Sequence, residues 1–221
     1  MKITFSKTAR LAWMFAIIVA ALRVDACTSF FLAKDGEMIL GCSLDWNIDD
    51  GFIFVNKRNV TKRGLAWFSG APTWTSKYGS LTVNQWGREF PARGMNEAGL
   101  VFAEMQLLAT TYPKADSRAP LAMTQWTQYM LDNCATVEEV LAAERQVRIN
   151  PDQYTSHFLF ADRNGHSLTV EWLNGKRVAH TGDTLPISAL SNDPYQNLLE
   201  HYRTGEAPVA GDISSMARFY N

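Results

Sequence analysis

CTSFFLAKDGEMILGCSLDW, residues 27–46, reads as a β-hairpin whose first residue is a cysteine. Residues 28–33 (TSFFLA) form a short apolar run rich in strand-forming residues. Lys34-Asp35-Gly36-Glu37 supplies a turn, and residues 38–40 resume the apolar run. The second strand continues into Gly41-Cys42-Ser43-Leu44-Asp45-Trp46, which brings Asp45 back towards Cys27. A cysteine at the start of a strand is held by sheet hydrogen bonds rather than carried on a loose tail. A carboxylate returned beside it is placed to orient a hydrogen-bond donor there.

Residues 1–26 read as an export signal. Lys2, Lys7 and Arg10 precede an uninterrupted apolar run of 12 residues, 11–22. A lasting membrane anchor needs about 20 residues, whereas this length suits a signal-peptide core. Val24 and Ala26 then stand at the small-residue positions ahead of a cut before Cys27. Removal of residues 1–26 leaves 195 residues carrying 17 basic and 21 acidic side chains, a net charge of −4. Such a surface attracts neither nucleic acid nor anionic lipid. No cysteine–histidine cluster has zinc spacing, so no metal or cofactor is expected. Residues 27–221 are expected to form one domain, exported to the periplasm or secreted, with no stable membrane anchor.

A cysteine made N-terminal carries two useful groups. Its thiol titrates ordinarily near pH ~8.5 and its α-amine near ~7.7–8.0. The amine can therefore take the thiol proton and later return it to a leaving amine, with no histidine required. His157, His166, His180 and His201 fall in no nucleophile–base motif and are expected at surface or hairpin positions. Lipoprotein processing also cuts before a cysteine and then acylates it, although Asp25 fits that cleavage box poorly. Pairing among Cys27, Cys42 and Cys134 is open.

Further strands are expected at 52–55, 66–68, 80–86 and 101–107, the last entered through a turn at 94–100. Apolar spacing predicts a helix over 119–133. Thr136-Val137-Glu138-Glu139 is a capping box opening a second helix to about residue 147. Strands follow at 158–161, 167–172 and 177–181, the first two joined by an Arg163-Asn164-Gly165 turn. Strands, then helices, then strands make an α+β layout rather than alternating βαβ units.

These residues resemble the choloylglycine hydrolase family of bile salt hydrolases and penicillin V acylases. Cys27-Thr28 with Leu44-Asp45-Trp46, Asn96-Glu97-Ala98-Gly99-Leu100, Asn192-Asp193-Pro194 and Gly211-Asp212-Ile213-Ser214-Ser215 with Arg218-Phe219 match its motifs in order. The resemblance implies a four-layer αββα sandwich of the N-terminal-nucleophile hydrolase type and cleavage of a linear amide bond in a small acyl amide. It implies Cys27 as nucleophile, Asp45 orienting its amine, Asn192 donating to the oxyanion and Arg218 favouring the thiolate. Gln106 stands where the family has an oxyanion-side asparagine or tyrosine.

Two departures accompany the match. Cys42 replaces an arginine that many members carry beside the nucleophile. The sequence stops three residues after Arg218, in what reads as a strand, so the sandwich is expected to lack its C-terminal part. Trp46, Trp67, Trp74, Trp86 and Trp126 are candidate lining for an apolar acyl group or simply core. The acyl group is not legible, and the oligomeric state, a homo-oligomer included, is open. The competing readings are a lipid-anchored protein acylated at Cys27 and an inactive member of the same fold.

Overall fold

The computed structural model describes residues 27–45, 50–65, 68–85, 87–150 and 154–205. The expected signal segment, Trp46, Trp67, Trp86, Arg218 and the motif around it lie outside the described residues.

The opening hairpin forms as its sequence suggests. Strand β1 (Thr28–Lys34) pairs with β2 (Glu37–Ser43), in register from Thr28 opposite Ser43 to Lys34 opposite Glu37. Asp35 and Gly36 both take positive φ, 54° and 82°, the backbone that a two-residue Asp-Gly turn requires. A distant two-residue strand, Ala189–Leu190, adds to the free side of β1.

A second, seven-stranded antiparallel sheet provides the platform. It is built from β3 (Phe52–Asn56), β6 (Ser80–Asn84), β7 (Pro91–Asn96), β8 (Val101–Gln106), β11 (Ser156–Ala161), β12 (Ser167–Leu173) and β13 (Lys176–Thr181). Their spatial order is β13-β12-β11-β8-β7-β6-β3. A short hairpin, β4 (Thr61–Arg63) with β5 (Thr73–Thr75), and a parallel pair, β9 (Ala119–Leu121) with β10 (Val147–Ile149), flank it. Three α-helices, α1 (Met123–Asn133), α2 (Val137–Ala143) and α3 (Tyr195–Thr204), and a 3-10 turn at Gly182–Thr184 complete the described residues. Strand β14 is the Ala189–Leu190 piece.

Side-chain alternation along the strands sorts the core into two halves. On one face of the large sheet Phe102, Phe158, Phe160, Val170 and Trp172 pack against Trp126 and Met130 of α1 and Val137 and Val140 of α2. Full burial of each such side chain is worth about 1.5–3 kcal/mol. On the other face Ala103, Met105, Leu159 and Ala161 pack against Cys27, Phe31 of β1, Leu190 of β14, and Tyr195 and Leu199 of α3. The nucleophile candidate is thus part of the inter-sheet core.

Asp132 ties α1 to the β4–β5 hairpin. Its carboxylate accepts from Lys62 Nζ at 2.9 and 3.1 Å, Trp74 Nε1 at 2.7 Å and Gln128 Nε2 at 2.8 Å. Its carbonyl accepts from the Lys77 and Tyr78 amides. The Lys62 and Asp132 side chains are almost wholly buried.

The other end of the large sheet is less covered. Ile53, Val55, Leu81, Val83 and Met95 share the face that carries Arg93 and Ala103, and all five are exposed. Phe30, Leu32 and Ile39 are exposed together on one face of the β1–β2 hairpin.

Several expected boundaries shift. The helix expected from residue 119 starts at Met123, because residues 119–121 pair with β10 as a strand. The second helix ends at Ala143, and Val147 already belongs to β10. Its expected capping box is half formed: Thr136 Oγ1 accepts from the Glu139 amide, but Glu139 Oε2 accepts from the Ala135 amide rather than that of Thr136. Residues 94–96, expected as turn, are strand; the reversal is confined to residues 97–99. Phe68 stands in a turn, its amide donating to the Leu65 carbonyl. Trp74 and Trp126 are core residues, 7% and 0% exposed, rather than ligand lining. His157, expected at a surface or hairpin position, lies in the β11–β12 hairpin and is 0% exposed.

Candidate active site

Cys27 immediately precedes β1 and is 6% exposed. The hairpin register returns residues 43–45 to it, and Cys27 Sγ lies 4.0 Å from the Asp45 carbonyl oxygen. Burial pushes the Cys27 thiol above its ordinary pKa, a hydrogen bond to the Asp45 main chain pulls the other way, and the charges of Glu104 and Asp45 push it further up. A hydrogen bond from the Asn192 side chain favours the thiolate. Cys27, Asp45 and Asn192, far apart in sequence, are therefore neighbours.

Asn192 is held by its own amide. Its Nδ2 donates to the Gln106 carbonyl at 2.7 Å. An Asn amide has two N–H groups, so one is committed and the second can serve an oxyanion. Gln106 thus enters the site through its main chain as the holder of the donor. The Asn192 loop is tied from both sides: His157 Nε2 meets the Ser191 carbonyl at 2.7 Å, and the Tyr195 amide donates to Glu171 Oε1 at 2.8 Å. Arg218 lies outside the described residues.

Cys42 lies opposite Ser29 in the hairpin, two residues from Cys27 on the adjoining strand. Arg93 Nη1, from β7, reaches its sulfur at 3.1 Å. A guanidinium therefore stands beside the position where Cys42 replaces the family's arginine, contributed by another strand. Cys27, Cys42 and Cys134 are all free thiols. Burial pushes Cys134 up to about 12, which leaves it protonated and unreactive.

Glu104 was not legible as a site residue. Burial pushes its carboxyl up; a hydrogen bond from Ser156 Oγ and the charges of His157 and Arg93 oppose this. Because its charge raises the Cys27 pKa, Glu104→Gln is expected to make Cys27 more acidic. Alkylation by iodoacetamide at neutral pH should then quicken roughly two- to fivefold. An unchanged rate would show that Glu104 exerts no field on the thiol. The missed signal was an ionisable residue inside a mostly apolar strand: Glu104 in VFAEMQ, His157 in SHFLFA and Glu171 in SLTVEWL. Such residues need compensating partners when buried.

Among the described residues, Glu138, Asp162 and His166 bring ligand atoms within 4.8 Å of one another. Asp162, the buried member, already accepts from the Val137, Asn164 and His166 amides. Its carboxylate is committed to the β11–β12 turn and the start of α2. A groove of about 550 Å³ lined by Val55, Arg58, Leu81, Met95 and Glu97 includes none of the expected site residues.

The family described as linear amide C–N hydrolases, choloylglycine hydrolase family, matches residues 27–204. A penicillin V acylase of Pectobacterium atrosepticum is 33% identical over 189 residues, 76% of this chain and 50% of that protein. The solved penicillin V acylase of Agrobacterium tumefaciens superposes with a TM-score of 0.70 at 29% identity, covering 82% of this chain and 57% of that one. A variant of the conjugated bile acid hydrolase of Clostridium perfringens shares the fold, with a TM-score of 0.65 at 23% identity over 80% of this chain and 57% of that one. The chain spans about half the length of the acylase of P. atrosepticum. The expected α+β fold, the αββα sandwich of N-terminal-nucleophile hydrolases, is thereby borne out.

Proposed function

Since the chain belongs to the choloylglycine hydrolase family of linear amide C–N hydrolases, we propose that it is a cysteine amidohydrolase acting through Cys27 as a processed N-terminal nucleophile. The observation that carries this reading is the convergence of Cys27, Asp45 and an Asn192 amide already fixed by Gln106. Cys27 Sγ attacks the amide carbonyl carbon while its proton passes to the Cys27 α-amine. Asn192 Nδ2–H donates to the tetrahedral oxygen. The protonated α-amine then gives its proton to the leaving nitrogen as the C–N bond breaks, leaving a thioester. Water, deprotonated by the same amine, cleaves the thioester and restores the thiol. Asp45 orients the amine, and Arg218 favours the thiolate.

The substrate is a small acyl amide. The P. atrosepticum relative is a penicillin V acylase, so phenoxyacetyl amides head the panel, followed by N-acyl amides and conjugated bile salts. The protein is exported, and residues 1–26 are its signal peptide. Intact mass and N-terminal sequencing of the exported protein test the premise. An unmodified Cys27 terminus is expected; a diacylglycerol adduct, or a start elsewhere, would rule the mechanism out.

A further inference from the structure

We propose that the buried His157–Glu171 pair is the positioning device of this site: it fixes residues 191–195 and so aims the Asn192 amide at the carbonyl that Cys27 attacks. The proposal rests on the reading of Asn192 as the oxyanion donor. His157 and Glu171 are 0% and 1% exposed and stand on the neighbouring strands β11 and β12. His157 Nδ1 lies 2.8 Å from Glu171 Oε1, and Nε2 lies 2.7 Å from the Ser191 carbonyl oxygen. A carbonyl only accepts, so Nε2–H donates to the Ser191 carbonyl while Nδ1 faces Glu171. The Tyr195 amide donates to the same Glu171 oxygen at 2.8 Å. The residues on either side of Asn192-Asp193-Pro194 are thus tied to one pair of side chains.

The pair sits close to what it aims. His157 pairs with Met105 in the sheet, and Gln106, whose carbonyl holds Asn192 Nδ2, pairs with Ser156. One short stretch of β8 and β11 therefore carries the anchor of the loop and the anchor of its donor. Two polar side chains in strands of otherwise buried, mostly apolar residues are costly to keep. A purely stabilising role would be met as well by apolar side chains. Orientation of a donor would not, because a misplacement of about 1 Å can cost ~10²-fold in rate.

The test uses the exported full chain and an acyl amide that the wild type hydrolyses. Three quantities are measured: kcat and KM, the alkylation rate of Cys27 by iodoacetamide, and hydrogen exchange along the chain. His157→Ala should lower kcat about 10²-fold with KM changed by no more than about threefold. Cys27 alkylation should stay within about twofold of wild type. Exchange should rise in residues 188–196 and not in the helix α1. The double variant with Asn192→Ala should be no slower than Asn192→Ala alone. Glu171→Gln, which keeps an acceptor oxygen, should be faster than Glu171→Leu by about tenfold or more. Retained kcat, additive losses in the double variant, or exchange rising uniformly along the chain would each overturn the proposal. Should His157→Ala fail to fold, His157→Gln and Glu171→Leu carry the same three measurements. A wild type that hydrolyses no amide refutes the proposed function, and hydrogen exchange at residues 188–196 still decides whether the pair holds the loop.

Discussion

Cys27→Ser is expected to lose amide turnover by about 10³-fold or more, with its denaturation midpoint nearly unchanged. A serine hydroxyl assisted by an α-amine alone is a far poorer nucleophile than a thiol, and loss of a nucleophile typically costs between ~10³ and ~10⁶ in kcat. Cys134→Ser is the matched control. Cys134 is 2% exposed, with its amide on the Met130 carbonyl and its sulfur 3.9 Å from Met130 Sδ. With its thiol pushed up to about 12 it supplies no thiolate. Turnover should persist in that variant even where some core stability is lost. Full activity in Cys27→Ser would remove Cys27 from the mechanism.

Asp132→Ala is expected to destabilise the fold by about 3–5 kcal/mol, the usual cost of stranding one partner of a buried ion pair. The Lys62 ammonium, 2.9 Å from Asp132 Oδ2, would be left in the core with a lost counter-charge. The Trp74 indole and the Gln128 amide would lose their acceptor as well. Chemical denaturation of the two proteins measures the difference. Converting Lys62 to methionine in the same background should return part of the loss, because no buried charge then remains. A drop below about 1 kcal/mol in the single variant would show that Lys62 escapes to solvent when its partner goes.

What the sequence made legible follows from how local each signal is. The opening hairpin was readable because Asp35-Gly36 dictates a specific turn and the apolar runs flank it. The proximity of Asp45 to Cys27 then followed from counting residues. Asn192 was reached through a motif match, since nothing in a loop asparagine announces that it lands on the carbonyl of a residue 86 positions earlier in the chain. The His157–Glu171 pair and the Arg93–Cys42 contact were not read at all. The Arg93–Cys42 contact joins residues of two different sheets, so it depends on inter-sheet packing; the His157–Glu171 pair follows from the register of the β11–β12 hairpin, but no local spacing says that both side chains are buried. The late start of α1 has a similar cause. Apolar spacing continues through residues 119–121, but pairing with β10 takes that backbone into a strand.

The uncovered faces of the two sheets bear on how the molecule behaves as a colloid. Ile53 is 76% exposed and Val55 70%, with Leu81, Val83 and Met95 beside them. The Phe30–Leu32–Ile39 row adds a second adhesive surface on another part of the chain. A net charge of −1 for the sequence, or −4 once residues 1–26 are removed, gives little long-range repulsion against such contacts. Two adhesive surfaces on one particle permit chains of contacts rather than closed pairs. Wherever these faces meet solvent, the second virial coefficient should be negative and light scattering should climb with concentration. Added salt should steepen that climb by screening the residual charge, and dilution or mild detergent should reverse it.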